Sequence, residues 1–192
     1  MPAAEGSWGV PIGESFDVVL DAARTGAEWA ITELYRDLHP AVVRYLRARA
    51  PGEHEDLASE VWLGVAGGLA RFHGDEAAFR RYVFTVAHRR VVDHWRARAR
   101  DPYAGVRRGE DELAPDAQDE AIENLTTSAA LDLVRMHLPP DQADVVLLRV
   151  VAGLTTDDVA RIVGKRAGTV RVLQHRGLRR LARVLDRERV TR

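Results

Sequence analysis

Apolar residues recur every three to four positions along most of this 192-residue chain, a spacing that places them on one face of an α-helix. In the first half of the chain, this period predicts four helices, near residues 15–25, 27–50, 55–69 and 77–100. The second helix shows an apolar stripe made of Trp29, Leu34, Leu38, Val42, Tyr45 and Leu46. Pro51 and Gly52 end that helix. Aromatic residues are few, at 6%, so the pattern favours helices over sheets and predicts an all-α fold.

Residues 154–180 predict two short helices around a tight turn. Thr155 or Thr156 can cap the first helix, and Asp157 and Asp158 follow in its first turn, where the helix dipole favours carboxylates. Gly164 can adopt the positive φ that ends a helix. The second helix begins near residues 168–169 and has apolar positions at Val170, Leu173, Gly177, Leu181 and Val184. Its other faces carry arginines, as in a helix-turn-helix that lies against DNA, although a basic helix in an ordinary bundle has the same spacing.

Two segments lack the helical period. Residues 1–13 are rich in glycine and proline, and residues 101–125 combine both with many acids. We therefore expect a disordered tail at 1–13 and a flexible acidic linker at 101–125. The linker would join two small helical domains, at residues 14–100 and 126–188.

The distribution of charge is more informative than the net charge of −1. Residues 79–100 hold seven arginines and one acid, and residues 161–192 hold eleven basic residues and two acids. Eight acids lie between them, in residues 101–123. Two basic surfaces separated by an acidic spacer indicate polyanionic partners such as nucleic acid.

Several functional classes are disfavoured. The chain has no cysteine, so it has no disulfide framework and no thiolate metal site. Its seven histidines are scattered without metal-ligand spacing, and no phosphate-binding glycine loop occurs. We expect no enzymatic activity, no cofactor and no metal. Without a long apolar run or a signal peptide, we expect a cytoplasmic protein with no membrane insertion.

Residues 138–154, LPPDQADVVLLRVVAGL, lead from a proline-started helix through a glycine into the helix-turn-helix, where G-T-V-R opens the second helix. This series resembles the promoter-binding C-terminal domain of bacterial sigma factors, known as domain four. In the first half, E-L-Y-R at 33–36 and V-R-Y-L-R at 43–47 resemble the opening of sigma domain two. The segment E-D-L-A-S-E-V-W at 55–62 is similar to the family's polymerase-clamp segment, and residues 79–98 are similar to its −10 helix.

With both domains in order and no domain three between them, the chain resembles the extracytoplasmic-function (ECF) class of sigma factors, and in particular an actinobacterial subgroup. The resemblance implies a monomer when free, partners in the clamp and flap of core RNA polymerase and in promoter DNA, and an anti-sigma factor as a further candidate. Domain two would bind polymerase and the −10 element, and domain four the −35 element.

The resemblance also implies three sets of site residues. Polymerase would be contacted by Asp56, Leu57, Glu60 and Trp62. The melted −10 strand would be contacted by Phe72, His73, Asp75, Arg80, Arg89, Arg90, Asp93 and His94, with Arg81 as a further phosphate ligand. The −35 duplex would be contacted by Arg166, Thr169, Arg171, Val172, His175 and Arg176.

The chain departs from the family pattern at two places. Ser59 stands where the clamp segment usually has glutamine, and the run 171–177, RVLQHRG, moves an apolar position from 174 to 173. Ordinary structural roles also stay open. Trp62 and Phe72 can be core residues, Asp56 and Glu60 can be a solvated face, and Val172 can pack inward beside Leu173.

Two other functional classes fit parts of the sequence. A stand-alone helix-turn-helix regulator would bind duplex DNA without polymerase, and it would usually dimerise on paired half-sites. A sigma-like decoy would act only by sequestering an anti-sigma factor. Two unlike basic domains and the lack of a heptad seam favour the sigma factor over the regulator.

Overall fold

A computed structural model describes residues 12–100 and 121–190 of the chain. Within these ranges all regular structure is helical, as predicted. A short 3-10 turn, Gly13–Ser15, precedes eight α-helices, which are α1 (Phe16–Arg24), α2 (Glu28–Arg49), α3 (His54–Leu69), α4 (Glu76–Arg100), α5 (Ala121–His137), α6 (Pro140–Val150), α7 (Thr156–Val163) and α8 (Ala167–Val190). Most of the expected tail at 1–13 and most of the expected linker at 101–125 lie outside the described residues. No described helix is both long enough and apolar enough to cross a membrane.

The first four helices enclose a core that the stripe of α2 dominates. Leu34, Leu38, Val42 and Tyr45 of that helix are all at most 3% exposed. Trp29 was wrongly assigned to this stripe, because it is 58% exposed and Ala30 is buried in its place. The register explains the difference: steps of four back from Leu38 and Leu34 lead to position 30, not 29.

Helices α3 and α4 approach each other closely at glycines of α3. A Cβ atom added at Gly68 would collide with the Tyr82 hydroxyl group, and that hydroxyl donates a hydrogen bond to the Gly64 carbonyl at 3.3 Å. The start of α4 is fixed by Asp75, whose Oδ1 accepts a hydrogen bond from the Ala78 N–H at 2.7 Å, as an N-cap residue does. The long basic helix α4 is therefore held at its start and along its α3 side.

The last four helices form a second group, in which local chemistry sets the helix ends. Thr155 caps α7 by accepting a hydrogen bond from the Asp158 N–H at 3.1 Å. Gly164 ends α7 with φ of 65°. Both features confirm the sequence prediction. Helix α5 begins at Ala121, inside the segment expected to be linker. Gly177 lets α8 lie close to α6, because a Cβ there would be 2.9 Å from the Val146 Cγ2 atom.

The two groups of helices pack against each other. Helix α2 contacts α5 and α6, and α4 contacts α7. The first helix of the helix-turn-helix thus lies against the long basic helix of the other group. No local pattern of residues predicts this contact.

Candidate nucleic-acid interface

Helix α8 turns a polar arc to solvent. The exposed side chains of this arc and of the residues that lead into it are Arg166, Thr169, Arg171, Val172, His175 and Arg176. Val170 is fully buried and Leu173 packs against the core, while Val172 is 47% exposed. Val172 therefore points outward, and the shifted apolar pattern at 172–174 leaves one apolar side chain among the basic groups of the arc.

A basic cleft extends this surface towards the end of α8. The cleft has a volume of about 610 Å³. Its lining residues are His137, Gln142, His175, Arg176, Arg179, Arg180, Arg183, Val184 and Arg187. The arginines beyond position 176 were not predicted as site residues, although their spacing along α8 was the available signal. No local signal pointed to His137 and Gln142, because these residues come from α5 and α6.

The arginines of α4 differ in what they bind. Arg80 pairs with Asp37 at 3.3 Å, and Arg90 pairs with Glu60 at 3.6 Å. Arg81 donates to Asp158 at 2.9 Å. Arg89 is exposed. Arg80, Arg81 and Arg90 were expected to bind phosphates, but in this structure each of them pairs with a carboxylate. The carboxylate that pairs with Arg81 belongs to the other group of helices.

The two residues expected to contact bases from the middle of α4 lie in different surroundings. The His94 Nδ1 atom is 2.9 Å from a Glu53 carboxylate oxygen, and the side chain of His94 is only 13% exposed. Asp93 is exposed and pairs with Arg96 at 3.6 Å. In this structure His94 joins α4 to the start of α3.

The loop before α4 gives each of its three expected −10 ligands a structural partner. The Phe72 ring stacks on Tyr82 and meets Phe79 edge-on, with centroid distances of 5.4 and 5.3 Å. His73 is exposed and hydrogen-bonds Arg24. Asp75 is the exposed cap of α4. His73 and Asp75 remain accessible to a ligand, whereas Phe72 is part of the aromatic packing.

On α3, the expected polymerase face contains both surface and core residues. Asp56 is exposed, and Glu60 is exposed beside Arg90. Leu57 requires a correction, because it is 5% exposed and packs in the core, where the inward side of α3 places it. Trp62 is half-buried, and its indole N–H donates to His39 Nδ1 at 3.1 Å. Burial lowers the pKa of His39, which keeps the ring neutral and able to accept this bond.

An apolar groove lies next to these acids. It has a volume of about 910 Å³ and runs between α1, α2 and α3. Its walls include Ile31, Tyr35 and Leu63, and Leu63 is 74% exposed. Leu63 was not among the residues predicted for the polymerase face. An apolar groove flanked by carboxylates suits a protein partner better than a nucleic acid.

Two buried carboxylates of the second group bind residues of the first. Asp144 is 7% exposed and accepts hydrogen bonds from the Tyr45 hydroxyl at 3.1 Å and from Arg49 Nε at 2.6 Å. Its Oδ1 also lies 3.9 Å from His88 Nδ1. Burial, with the nearby Asp144 charge, holds the pKa of Tyr45 well above its ordinary value.

Asp158 is the second of these carboxylates and is also 7% exposed. It receives Arg81, Arg161 and the Thr155 hydroxyl. Burial alone would raise the pKa of Asp158, but the hydrogen bonds from Thr155 and Arg81 and the two arginine charges outweigh it, so the pKa lies below its ordinary value. Asp158 is therefore ionised and bound to Arg81 at neutral pH.

Comparison with known proteins places both groups of helices in one family. Residues 34–101 match Sigma-70 region 2, and residues 129–181 match Sigma-70 region 4. The chain is 34% identical over 177 residues to the ECF RNA polymerase sigma factor SigD of Mycobacterium tuberculosis, covering 88% of this chain and 83% of SigD. It is 34% identical over 170 residues to the ECF sigma factor ShbA of Streptomyces griseus, covering 81% of this chain and 87% of ShbA.

The fold agrees with these matches. The solved structure of CnrH in complex with the cytosolic domain of CnrY aligns with a TM-score of 0.63 at 15% identity, over 90% of this chain and 98% of that one. Sigma factors direct polymerase to promoters and are not enzymes, in agreement with the absence of catalytic motifs in the sequence. The chain belongs to the ECF family of RNA polymerase sigma factors, the promoter-recognising factors of bacterial transcription initiation.

Proposed function

We propose that this factor contacts the −35 duplex through the exposed arc of α8 and the −10 strand through α4 and the loop before it. The observation that carries this assignment is the arc itself, where Arg171, Val172, His175 and Arg176 are exposed on a helix that Val170 and Gly177 seat on its own domain. A recognition helix needs this arrangement of one anchored face and one polar face free for the major groove.

Within the arc, the residues divide by the chemistry of their ligands. Arg171 lies in the first turns of α8, the part that enters the groove most deeply, and it suits a guanine edge. Val172 suits a thymine methyl group. Arg166 and Arg176 would grip phosphates on either side, and the basic cleft beyond Arg176 would follow the backbone without contributing sequence preference.

For the −10 strand, Arg89 is the arginine of α4 best placed to bind a phosphate, because Arg80, Arg81 and Arg90 hold carboxylates. His73 and Asp75 are exposed in the loop and could contact an extruded base. His94 would take part only after leaving Glu53.

Core polymerase would bind the outer face of α3. Asp56 and Glu60 supply charge, and the groove beside Leu63 supplies apolar area. The second domain would contact the polymerase flap. The factor would act in the cytoplasm. Residues 14–100 and 126–188 would form its two functional domains, and residues 101–125 would link them.

We also propose that an anti-sigma protein binds this factor. CnrH, which has the same fold, was solved in complex with the cytosolic domain of CnrY. The apolar groove between α1, α2 and α3 offers such a partner the same surface as polymerase, so the two would compete. Without polymerase or an anti-sigma protein, the factor would be a monomer.

Run-off transcription tests the proposal. Core polymerase with the purified chain should give transcripts from a subset of a promoter library, and core polymerase alone should give none. A stand-alone regulator is the other candidate. It would bind duplex DNA as a dimer without polymerase and would yield no chain-dependent transcript, and that result would contradict the sigma assignment of these surfaces.

A further inference from the structure

Three rings of α2 and α3 form a connected cluster on the wall of the apolar groove. The Tyr35 ring stacks on His39, with centroids 4.3 Å apart and planes 17° from parallel. Tyr35 also meets Trp62 at 4.9 Å, and the Trp62 indole N–H donates to His39 Nδ1 at 3.1 Å. All three residues line the groove, and His39 combines the stacking contact with the hydrogen bond.

The hydrogen bond determines the protonation state of the His39 ring. An indole nitrogen can only donate, so His39 Nδ1 is an acceptor and the neutral ring has its proton on Nε2. A protonated ring would place an N–H against the indole N–H and break the bond. Burial lowers the pKa of His39 and thereby favours the neutral, accepting form. The other titratable groups that line the groove are Arg24 of α1, Tyr35 of α2 and Glu55 of α3.

Tyr35 and Trp62 have the character of partner-binding side chains. Tyr35 is 38% exposed and Trp62 is half-buried, so each offers part of its ring to a ligand of the groove. Tryptophan and tyrosine contribute a large share of the binding energy at many protein interfaces. Such a side chain contributes more when it is already held in its bound orientation, because less conformational entropy is lost on binding. His39 restrains both rings before a partner binds.

We propose that His39 is a positioning residue for polymerase binding: as a neutral acceptor it holds Trp62 and Tyr35 in place at the groove, so that acid weakens the attachment of the factor to core polymerase. This inference rests on the proposed function, which assigns the groove and the outer face of α3 to polymerase. His39 acts through the two rings that it contacts.

Two substitutions at His39 separate the hydrogen bond from the packing. His39→Leu fills the site without an acceptor, whereas His39→Asn keeps an amide oxygen near the position of Nδ1 and accepts at every pH. In titrations of core polymerase at about pH 7.5, His39→Leu should bind roughly five- to tenfold more weakly than the wild-type chain, since it leaves the indole N–H without its partner. His39→Asn should bind within about twofold of the wild-type chain, because the bond is kept.

The pH profile distinguishes positioning from a merely structural role. The pKa of His39 lies below the ordinary value of about 6.5, so the affinity that its neutral ring supports is present above that pH and is lost as the pH falls towards about 5. His39→Asn should lack this loss, although it keeps every other titratable group of the groove.

His54→Asn is the matched control on α3. It makes the same change at a half-buried histidine whose Nδ1 has no hydrogen-bond partner among the described residues. This variant should keep the wild-type affinity and the wild-type pH profile.

Trp62→Phe tests the same bond from its donor side. It removes the indole N–H and keeps an aromatic ring, so most of the pH dependence should disappear, and it decides the matter if a His39 variant fails to fold by circular dichroism. The double variant His39→Leu, Trp62→Phe should lose less affinity than the two single losses predict together, because both act on one bond. Equal pH profiles for the wild-type and His39→Asn chains, or fully additive losses, would overturn the proposal. A wild-type chain without affinity for core polymerase would instead contradict the proposed function.

Discussion

Val172 is a branched apolar side chain on the outer face of a helix otherwise covered by arginines. It is 47% exposed, although β-branched residues are poor helix formers and gain little without burial. Contact with a thymine methyl group in the major groove would supply that burial when DNA is bound. Arg171, the preceding residue, is also exposed, so the two side chains would contact adjacent bases.

Arg171→Ala and Arg176→Ala should therefore have different effects on promoter binding. The first should cost about 1–3 kcal/mol and relax the preference at one −35 position, because it removes contacts to a base edge. The second should weaken all promoters alike and reduce the salt dependence by about one counterion, because it removes one phosphate contact. Holoenzyme binding to a promoter library at several salt concentrations measures both. A uniform loss for both variants would remove the base-contacting role of Arg171.

At the scale of the element, α3 serves two purposes with two faces. Leu57, Val61 and Val65 fill the core, while Asp56 and Glu60 project together on the outside. The i, i+4 spacing of these two acids places them on one side of the helix. Because no core residue depends on them, their charges can be changed without changing the fold.

The double variant Asp56→Lys, Glu60→Lys should lower affinity for core polymerase by roughly tenfold or more, since close charge pairs at interfaces contribute about 1.5 kcal/mol or more. Melting temperature and helicity should stay near wild type. Asp17→Lys with Asp21→Lys on α1 is the matched control, since both acids are exposed and four residues apart. Wild-type affinity in the α3 variant, measured by co-purification and titration with core polymerase, would contradict the assignment of this face.

Across the whole molecule, the joint between the helical groups is sensitive to protonation. Burial lowers the pKa of His88 and Arg49 adds to this effect, while Asp144 and Asp141 oppose it, and the balance remains below the ordinary value. His88 is therefore neutral in the folded chain at neutral pH. Unfolding would return its pKa to the ordinary value of about 6.5.

Acidification should then destabilise the folded chain. The unfolded chain binds a proton more readily at His88, so the stability that neutral His88 contributes is fully present above pH of about 6.5 and is lost as the pH falls below it. The free energy of unfolding, measured by denaturant titration, should fall between about pH 7.5 and about pH 5.5. His88→Gln should flatten this dependence, and His73→Gln, at an exposed histidine, should not. The same pH dependence in the His88→Gln variant as in the wild-type chain would show that His88 is not linked to folding.

The sequence predicted well what neighbouring residues determine. Thr155 and Gly164 set the ends of α7 by local hydrogen bonding and backbone conformation, and both were identified from residue type and position. The family and the all-α fold followed from patterns spread over both halves of the chain. The surroundings that the sequence did not predict depend on residues far apart in the chain. The His94 ring, for example, lies 2.9 Å from Glu53, 41 positions earlier by residue number.

The contacts of Asp144 and Asp158 could not be predicted from the sequence for the same reason. Their hydrogen-bond partners in the first group lie 77 to 99 positions away along the chain. Asp158 also has a local explanation in the first turn of α7. The division of the chain into two functional domains and the roles of the individual site residues stay predictions, which the measurements above test.

The packing of the two helical groups against each other also bears on how the chain unfolds. The buried apolar residues of both groups form one cluster, so neither group can lose its packing without exposing apolar surface of the other. Heat or denaturant should therefore unfold both groups in one cooperative transition.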